Sequence, residues 1–200
     1  MPRLERDLIV ESAGDGVELR DGETLVLQAH PADFELDIPQ APTFDEARAA
    51  GEDLVHDAGH LYPGCFTCGP DRSQGDGLRL FMGRIPERER FLAAAWTPDP
   101  QLTPQQTLPG EFVWAALDCP TIWAAWFGDD GELRFPRGYF SVLARQRVEL
   151  LGSVPTGEPA IVTAWPISRD GRKHVTGAAI HSRDGALLAR AESLLVDVER

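Results

Sequence analysis

No run of eighteen apolar residues occurs in the 200 residues of this chain, so no membrane-spanning helix is expected. The first seven residues, Met1 to Asp7, have neither an apolar core nor a small-residue cleavage site, and no secretion signal is expected either. Cysteine is scarce and odd in number, three in all. That excludes a disulfide framework and predicts free thiols in a reducing, cytoplasmic setting. Basic residues are outnumbered: 19 Lys and Arg against 32 Asp and Glu give a net charge of −13. This balance argues against the broad basic face that nucleic acid needs, and against binding to an anionic membrane surface. It leaves open a phosphate-bearing small molecule, because local patches decide that contact. The densest basic segment, residues 169–174, reads as a phosphate-contacting turn or as a solvated hairpin tip. The apolar fraction, 42%, is below average, yet five Trp and nine Phe can build a substantial core. The length suits one domain, or one domain with an appendage.

The most informative stretch is 110–126, Gly-Glu-Phe-Val-Trp-Ala-Ala-Leu-Asp-Cys-Pro-Thr-Ile-Trp-Ala-Ala-Trp. It lies between a Gln/Thr/Pro-rich run and the Gly128-Asp-Asp-Gly131 break, so it reads as one helix. A helix apolar on nearly every face must be wrapped by protein. Asp118 at its centre is costly there unless paired, hydrogen-bonded or used. Glu111, Asp118 and Thr121 fall at i, i+7 and i+10, on one stripe.

The tail reads as an antiparallel meander. Strands are expected over 139–151, 160–165, 174–181 and 186–198, with Asp-Gly turns at 170–171 and 184–185. Ahead of the helix, 77–82 and 90–96 read as two more strands. One long apolar helix and one antiparallel sheet predict an α+β layer in which the sheet curls round the helix. The head differs in character: short strands at 8–10, 16–19 and 24–28, then a helix over 43–50 capped by Thr43. Residues 20–29 echo 183–191. Residues 1–60 therefore read as a separate unit, either a partial second copy of the tail or a coincidence of two Asp-Gly hairpins. Residues 61–200 form the main domain.

Cys65-Phe-Thr-Cys68-Gly69 holds a Cys-x-x-Cys pair. A structural zinc site needs four ligands. Cys119 sits inside the expected helix, and His56 and His60 would reach only from a neighbouring loop. Ligand counting along the chain thus predicts no bound zinc, with the two cysteines shaping a turn. The longer string is more telling. Cys65-Phe-Thr-Cys-Gly-Pro-Asp-Arg72, followed by Gly75-Asp-Gly-Leu-Arg-Leu-Phe81, resembles the "C-F-x-C-G-P … G-L-x-L-x-F" opening of a branch of the hotdog-fold thioesterase superfamily. Gly110 to Asp118 resembles that superfamily's central helix, with an acidic residue eight positions after a Gly-rich start. The resemblance covers about residues 61–198. It implies a hotdog fold, acyl-thioester chemistry without a cofactor, and a sheet edge buried in a homodimer or covered in the same chain by a head segment, residues 1–38. One departure bears on the chemistry: many catalytic members begin the helix with His-Gly-Gly, and here Glu111 replaces the second glycine.

On this reading Asp118 is the catalytic candidate, as general base or nucleophile. The helix start at Gly110 and Glu111 would polarise a carbonyl. Phe112, Trp114 and Trp123 would line an acyl tunnel, with Thr121 on the Asp118 stripe. If the acyl group is carried by coenzyme A, Arg169, Arg172 and Lys173 would meet its phosphates, with Arg79 and Arg145 as alternatives. A second account competes. Pro120 could break the helix and leave Asp118 or Cys119 capping a new segment. His174 and His181 are seven apart, point to opposite sheet faces and do not read as paired bases. The function classes are an acyl-CoA thioesterase-like hydrolase and a non-catalytic hotdog module that binds an apolar ligand or serves as a scaffold. An acyl-CoA hydratase is a third, weaker option, since its usual Asp/His pair is not evident in the sequence.

Overall fold

Turn chemistry and strand periodicity account for most of the elements in the computed structural model, which describes residues 5–51, 60–134, 136 and 138–199. The contacts divide the chain into two units, Met1–Glu35 and Leu36–Arg200. The first is a three-stranded antiparallel sheet, β1 (Ile9–Ala13), β2 (Gly16–Asp21) and β3 (Thr24–Ala29). The Asp21-Gly22 turn between β2 and β3 takes a left-handed glycine, Gly22 at φ +60°.

The second unit holds α1 (Phe44–Ala50), β4 (Gly83–Arg84), β5 (Leu92–Trp96), a 3-10 turn, α2 (Gly110–Ala125), and the strands β6 (Tyr139–Leu150), β7 (Ala160–Asp170), β8 (Lys173–Ser182) and β9 (Leu187–Glu199). Helix α1 starts in a capping box. The Glu46 N–H donates to Thr43 Oγ1, and the Thr43 N–H donates to Glu46 Oε2. The six strands form one antiparallel sheet in the order β4-β5-β7-β8-β9-β6. The meander β7-β8-β9 is as the Asp-Gly turns predict, and the architecture is α+β.

Sheet curvature has local causes. The ladders shift register at Leu143/Arg145, Pro166/Ser168 and Ile180/His181. Bulges of this kind bend a strand and increase its twist. Pro166, which cannot donate to a ladder, sits at one of them. Inside the curve the sheet is floored with small residues, Ala94, Ala164, Ala178, Ala189 and Ala191, so that α2 can bring its Leu and Trp side chains down onto it. A smaller cluster covers the other face, where Ala47 and Ala50 of α1 pack with Phe91, Ile161 and Trp165.

Two expectations need correction. Residues 77–82 form no ladder, and Arg79 among them takes a left-handed backbone at φ +50°. Their amides turn instead to the cysteine turn: the Leu78 N–H donates to the Phe66 carbonyl and the Leu80 N–H to the Thr67 carbonyl. Helix α2 is also not wrapped on every side. Its Val113–Ala116–Leu117–Thr121–Ala124 side is buried, whereas Glu111 and Trp114 are exposed and Ala115, Asp118, Cys119 and Ile122 only half-buried. Among the described residues no helix is long and apolar enough to cross a membrane.

Candidate functional site

Helix α2 runs unbroken through Pro120. The proline withdraws one amide from the helix ladder without ending it, so Asp118 caps nothing. The Asp118 backbone carbonyl accepts from Thr121 Oγ1 at 2.7 Å, and that hydroxyl is fully buried. Thr121 therefore serves the helix and does not share an open stripe with Asp118. The Asp118 carboxylate lies at the border between the buried and half-open sides of α2. Its Oδ1 is buried and has no hydrogen-bond partner. Burial, and after it the charge at Cys65, push Asp118 up to about 6.

The other candidates separate along the helix. Gly110 and Glu111 form its start, where Pro109 supplies no side-chain cap, and Gly110 lies beside Leu150 at the end of β6. Phe112 packs on Phe66 with ring centroids 5.2 Å apart. Trp114 is 40% exposed, and Trp123 is buried. Trp114 does not share a face with Phe112 or Trp123, because residues two and nine positions apart on a helix point different ways. Arg169, Arg172 and Lys173 form the exposed tip of the β7–β8 hairpin. Arg172 Nη1 donates to the Asp197 carbonyl, and the Asp197 side chain is linked through Ser141 to Trp126 at the C-terminal end of α2. Arg79 and Arg145 are engaged: Arg79 lies over the Phe81 ring and donates to the Arg72 carbonyl, and Arg145 pairs with Glu192 at 3.6 Å.

Ligand counting and strand parity did not reveal two polar clusters. The first ties the end of α2 to the sheet. Trp126 Nε1 donates to Ser141 Oγ (3.3 Å), Ser141 donates to Asp197 Oδ1 (2.7 Å), and Asp197 Oδ2 lies 2.9 Å from His174 Nε2. His174 is therefore paired, contrary to expectation, because β8 and β9 are neighbours only in the folded sheet. His181 is buried too, and burial holds it below the ordinary histidine range.

The second cluster is sulfur. Cys65 and Cys68 sit on a tight turn in which the Gly69 N–H donates to the Cys65 carbonyl. A Cβ at position 69 would come within 2.4 to 2.5 Å of the Pro63 carbonyl and the Cys65 backbone, so only glycine closes this turn. The turn packs on α2 through Thr67 Oγ1, which donates to the Ala115 carbonyl at 3.1 Å. Cys119 thereby arrives 3.5 Å, sulfur to sulfur, from Cys65. His60 Nε2 is 3.3 Å from Cys68 Sγ. Hydrogen bonds from Cys119 and Cys68, with the Cys68 and Thr67 amides, hold Cys65 far below the usual thiol range. Cys68 is lowered by its bond to Cys119, but its bond to Cys65 and its burial outweigh this and leave it pushed up to about 12. The bonds to Cys65 and Cys68, and burial, raise Cys119. A cavity of about 60 Å³ opens beside the sulfurs, walled by Ile122, Trp123, Trp126, Phe140 and Ser141. The signal for this cluster was present in the Cys-x-x-Cys-Gly turn; the missing information was which helix face it meets. His56 lies outside the described residues.

No family model matches the chain, and no curated protein matches it. Solved structures do. A thioesterase from Haemophilus influenzae superposes with a TM-score of 0.52 at 18% identity, over 66% of this chain and 85% of that one. AziG of S. sahachiroi superposes at 0.50 and 23% identity, over 62% and 94%. The thioesterase superfamily protein RHA08564 gives 0.47 at 20% identity over 60% of this chain, which spans only 57% of that protein's length. The long central helix and the antiparallel sheet curled round it are those of the hotdog fold, as in the Haemophilus influenzae thioesterase.

Proposed function

We propose that this chain hydrolyses acyl thioesters, with Asp118 as the general base. The observation that carries the reading is the Asp118 carboxylate itself: it lies on the central helix, Oδ1 has no hydrogen-bond partner, and it is neither a cap nor half of an ion pair. A buried carboxylate without structural employment is costly, and use in chemistry explains its presence. In the reaction Asp118 takes a proton from water as the water oxygen adds to the thioester carbonyl carbon. The resulting oxyanion is held by backbone N–H groups, the carbon–sulfur bond breaks, and the departing thiolate takes up the proton.

The N–H groups at Gly110 and Glu111 lie about 10 Å along the axis from Asp118, seven residues of rise and too far to share one carbonyl. The substrate is therefore placed between two copies of the chain, with Asp118 of one facing the helix start of the other. Two features support a homodimer. Among the described residues strand β6 pairs only with β9, and its exposed Leu143 and Leu150 lie along this edge strand. The Trp114 side of α2 is also open to solvent. The cavity near Trp123 is about two water molecules in volume, which favours a short acyl group. Arg169, Arg172 and Lys173 are the cations available to a phosphate-bearing carrier such as coenzyme A.

The test is a thioesterase screen over acyl-CoA chain lengths with the wild type and Asp118→Asn. The exchange keeps shape and removes basicity, so turnover should fall roughly 100-fold or more with little change in melting temperature. Equal specific activity of the two proteins would end the reading. A second reading, a non-catalytic module for a small apolar ligand, is favoured by the apolar cavity alone. It predicts no turnover on any acyl-CoA and a ligand that co-purifies.

A further inference from the structure

All three cysteines of the chain meet at one point, although Cys119 lies 54 residues from Cys65. Their sulfurs are all within 4.8 Å of one another. Three tetrahedral thiolates on a zinc ion at about 2.3 Å would sit about 3.8 Å apart. The Cys65–Cys119 separation of 3.5 Å is already close to that spacing. We propose that Cys65, Cys68 and Cys119 bind one zinc ion as thiolates, with the fourth coordination position open to the adjoining cavity.

The surroundings of the sulfurs point the same way. His60 Nε2 lies 3.3 Å from Cys68 Sγ. The His60 tautomer is set by its other nitrogen: Nδ1 accepts from the Tyr62 N–H at 3.0 Å, so Nε2 carries the hydrogen and donates to sulfur. An N–H donated to sulfur favours the thiolate, since a neutral thiol is a poor acceptor. Negative charge in an apolar wall needs a cation. Among the described residues around the cavity no Lys or Arg provides one; the neighbouring acid, Asp118, has the wrong sign. A thiophilic metal ion matches the three sulfurs in charge and in spacing. Three sulfurs fall short of the four that an iron–sulfur cluster takes. Three protein ligands and one open position is the pattern of a zinc site accessible to an outside ligand. Binding takes up one zinc ion and releases one proton for each thiol not already ionised. The ion would also clamp the 65–69 turn to α2. His60, donating to a ligand sulfur, is a positioning residue and not a ligand.

This inference does not rest on the hydrolase reading, because metal uptake is read without substrate. The full-length protein, reduced and stripped with a chelator, is titrated with zinc against a chromophoric competitor, and separately with cobalt(II). The expected result is one equivalent per chain. Cobalt should give thiolate-to-metal charge-transfer absorption with the intense visible bands of a tetrahedral site. Cys65→Ser and Cys119→Ser should each weaken zinc binding by at least about 100-fold, and His60→Ala should keep the stoichiometry with an affinity about 10- to 100-fold lower. If a cysteine variant fails to fold, the wild type still decides the matter, because zinc must raise its melting temperature. Three titratable thiols with no zinc uptake would overturn the proposal. So would equal zinc binding by Cys119→Ser, or a Cys65–Cys119 disulfide in the isolated protein, seen as a mass lower by two hydrogens.

Discussion

Removing Asp197 tests whether the polar chain at the end of α2 is a fully satisfied unit. Asp197 accepts from Ser141 at 2.7 Å and lies 2.9 Å from His174 Nε2, and all three side chains are buried. Asp197→Leu leaves the Ser141 hydroxyl and the His174 ring each without an acceptor. Each stranded donor costs about 1–3 kcal/mol, and removal of the buried carboxylate returns part of that. A net loss of about 3 kcal/mol is expected, in the range for breaking one side of a buried pair. In a domain of this size that corresponds to a melting temperature lower by about 6–12 °C. The measurement is urea unfolding followed by far-UV circular dichroism and tryptophan fluorescence, with an unchanged m-value to show that only stability moved. The double variant Asp197→Leu with His174→Leu removes both partners and should recover much of the loss, because nothing polar except the Ser141 hydroxyl is then stranded. A single variant within about 0.5 kcal/mol of the wild type would refute the argument, since surface substitutions do no more. So would a double variant that loses as much as the two single losses added together.

Gly177→Ala should destabilise by about 1–3 kcal/mol in the same urea assay, because the new Cβ would fall 2.5 Å from the Trp165 ring. His181 is buried neutral, and its pKa is lowered by burial. Its unfolded form therefore binds a proton before the folded form does, so stability should fall as pH drops below about 6.5 and stay level above it. His181→Leu should flatten that slope in melts between pH 5 and 7, and an unchanged slope would remove His181 as its source. Leu143→Lys places a charge on the edge strand β6, and in sedimentation it should convert a wild-type dimer to monomer. A wild type that sediments as a monomer would contradict the shared-cleft reading.

The sequence alone determined what depends on neighbours along the chain. The Asp-Gly turns at 170–171 and 184–185 place the β7–β8–β9 meander because a type of turn follows from two residues and their flanking strands. The length and apolarity of 110–126 mark α2, and Thr43 with Glu46 marks the start of α1. Asp118 stands out because an acid inside an apolar helix is anomalous in any fold. Only the tertiary structure decided what depends on facing surfaces. Residues 77–82 have a strand's alternation, yet they give their amides to the cysteine turn, a choice set by which segment packs alongside. Pro120 reads as a breaker, but burial against the sheet keeps the helix whole. His174 finds Asp197, and Cys119 finds Cys65, across 23 and 54 residues of chain. Periodicity says which face of an element is apolar, but not which other element that face will meet. A pairing between distant segments is fixed by packing, since the strand order and the curl of the sheet bring those side chains within bonding distance.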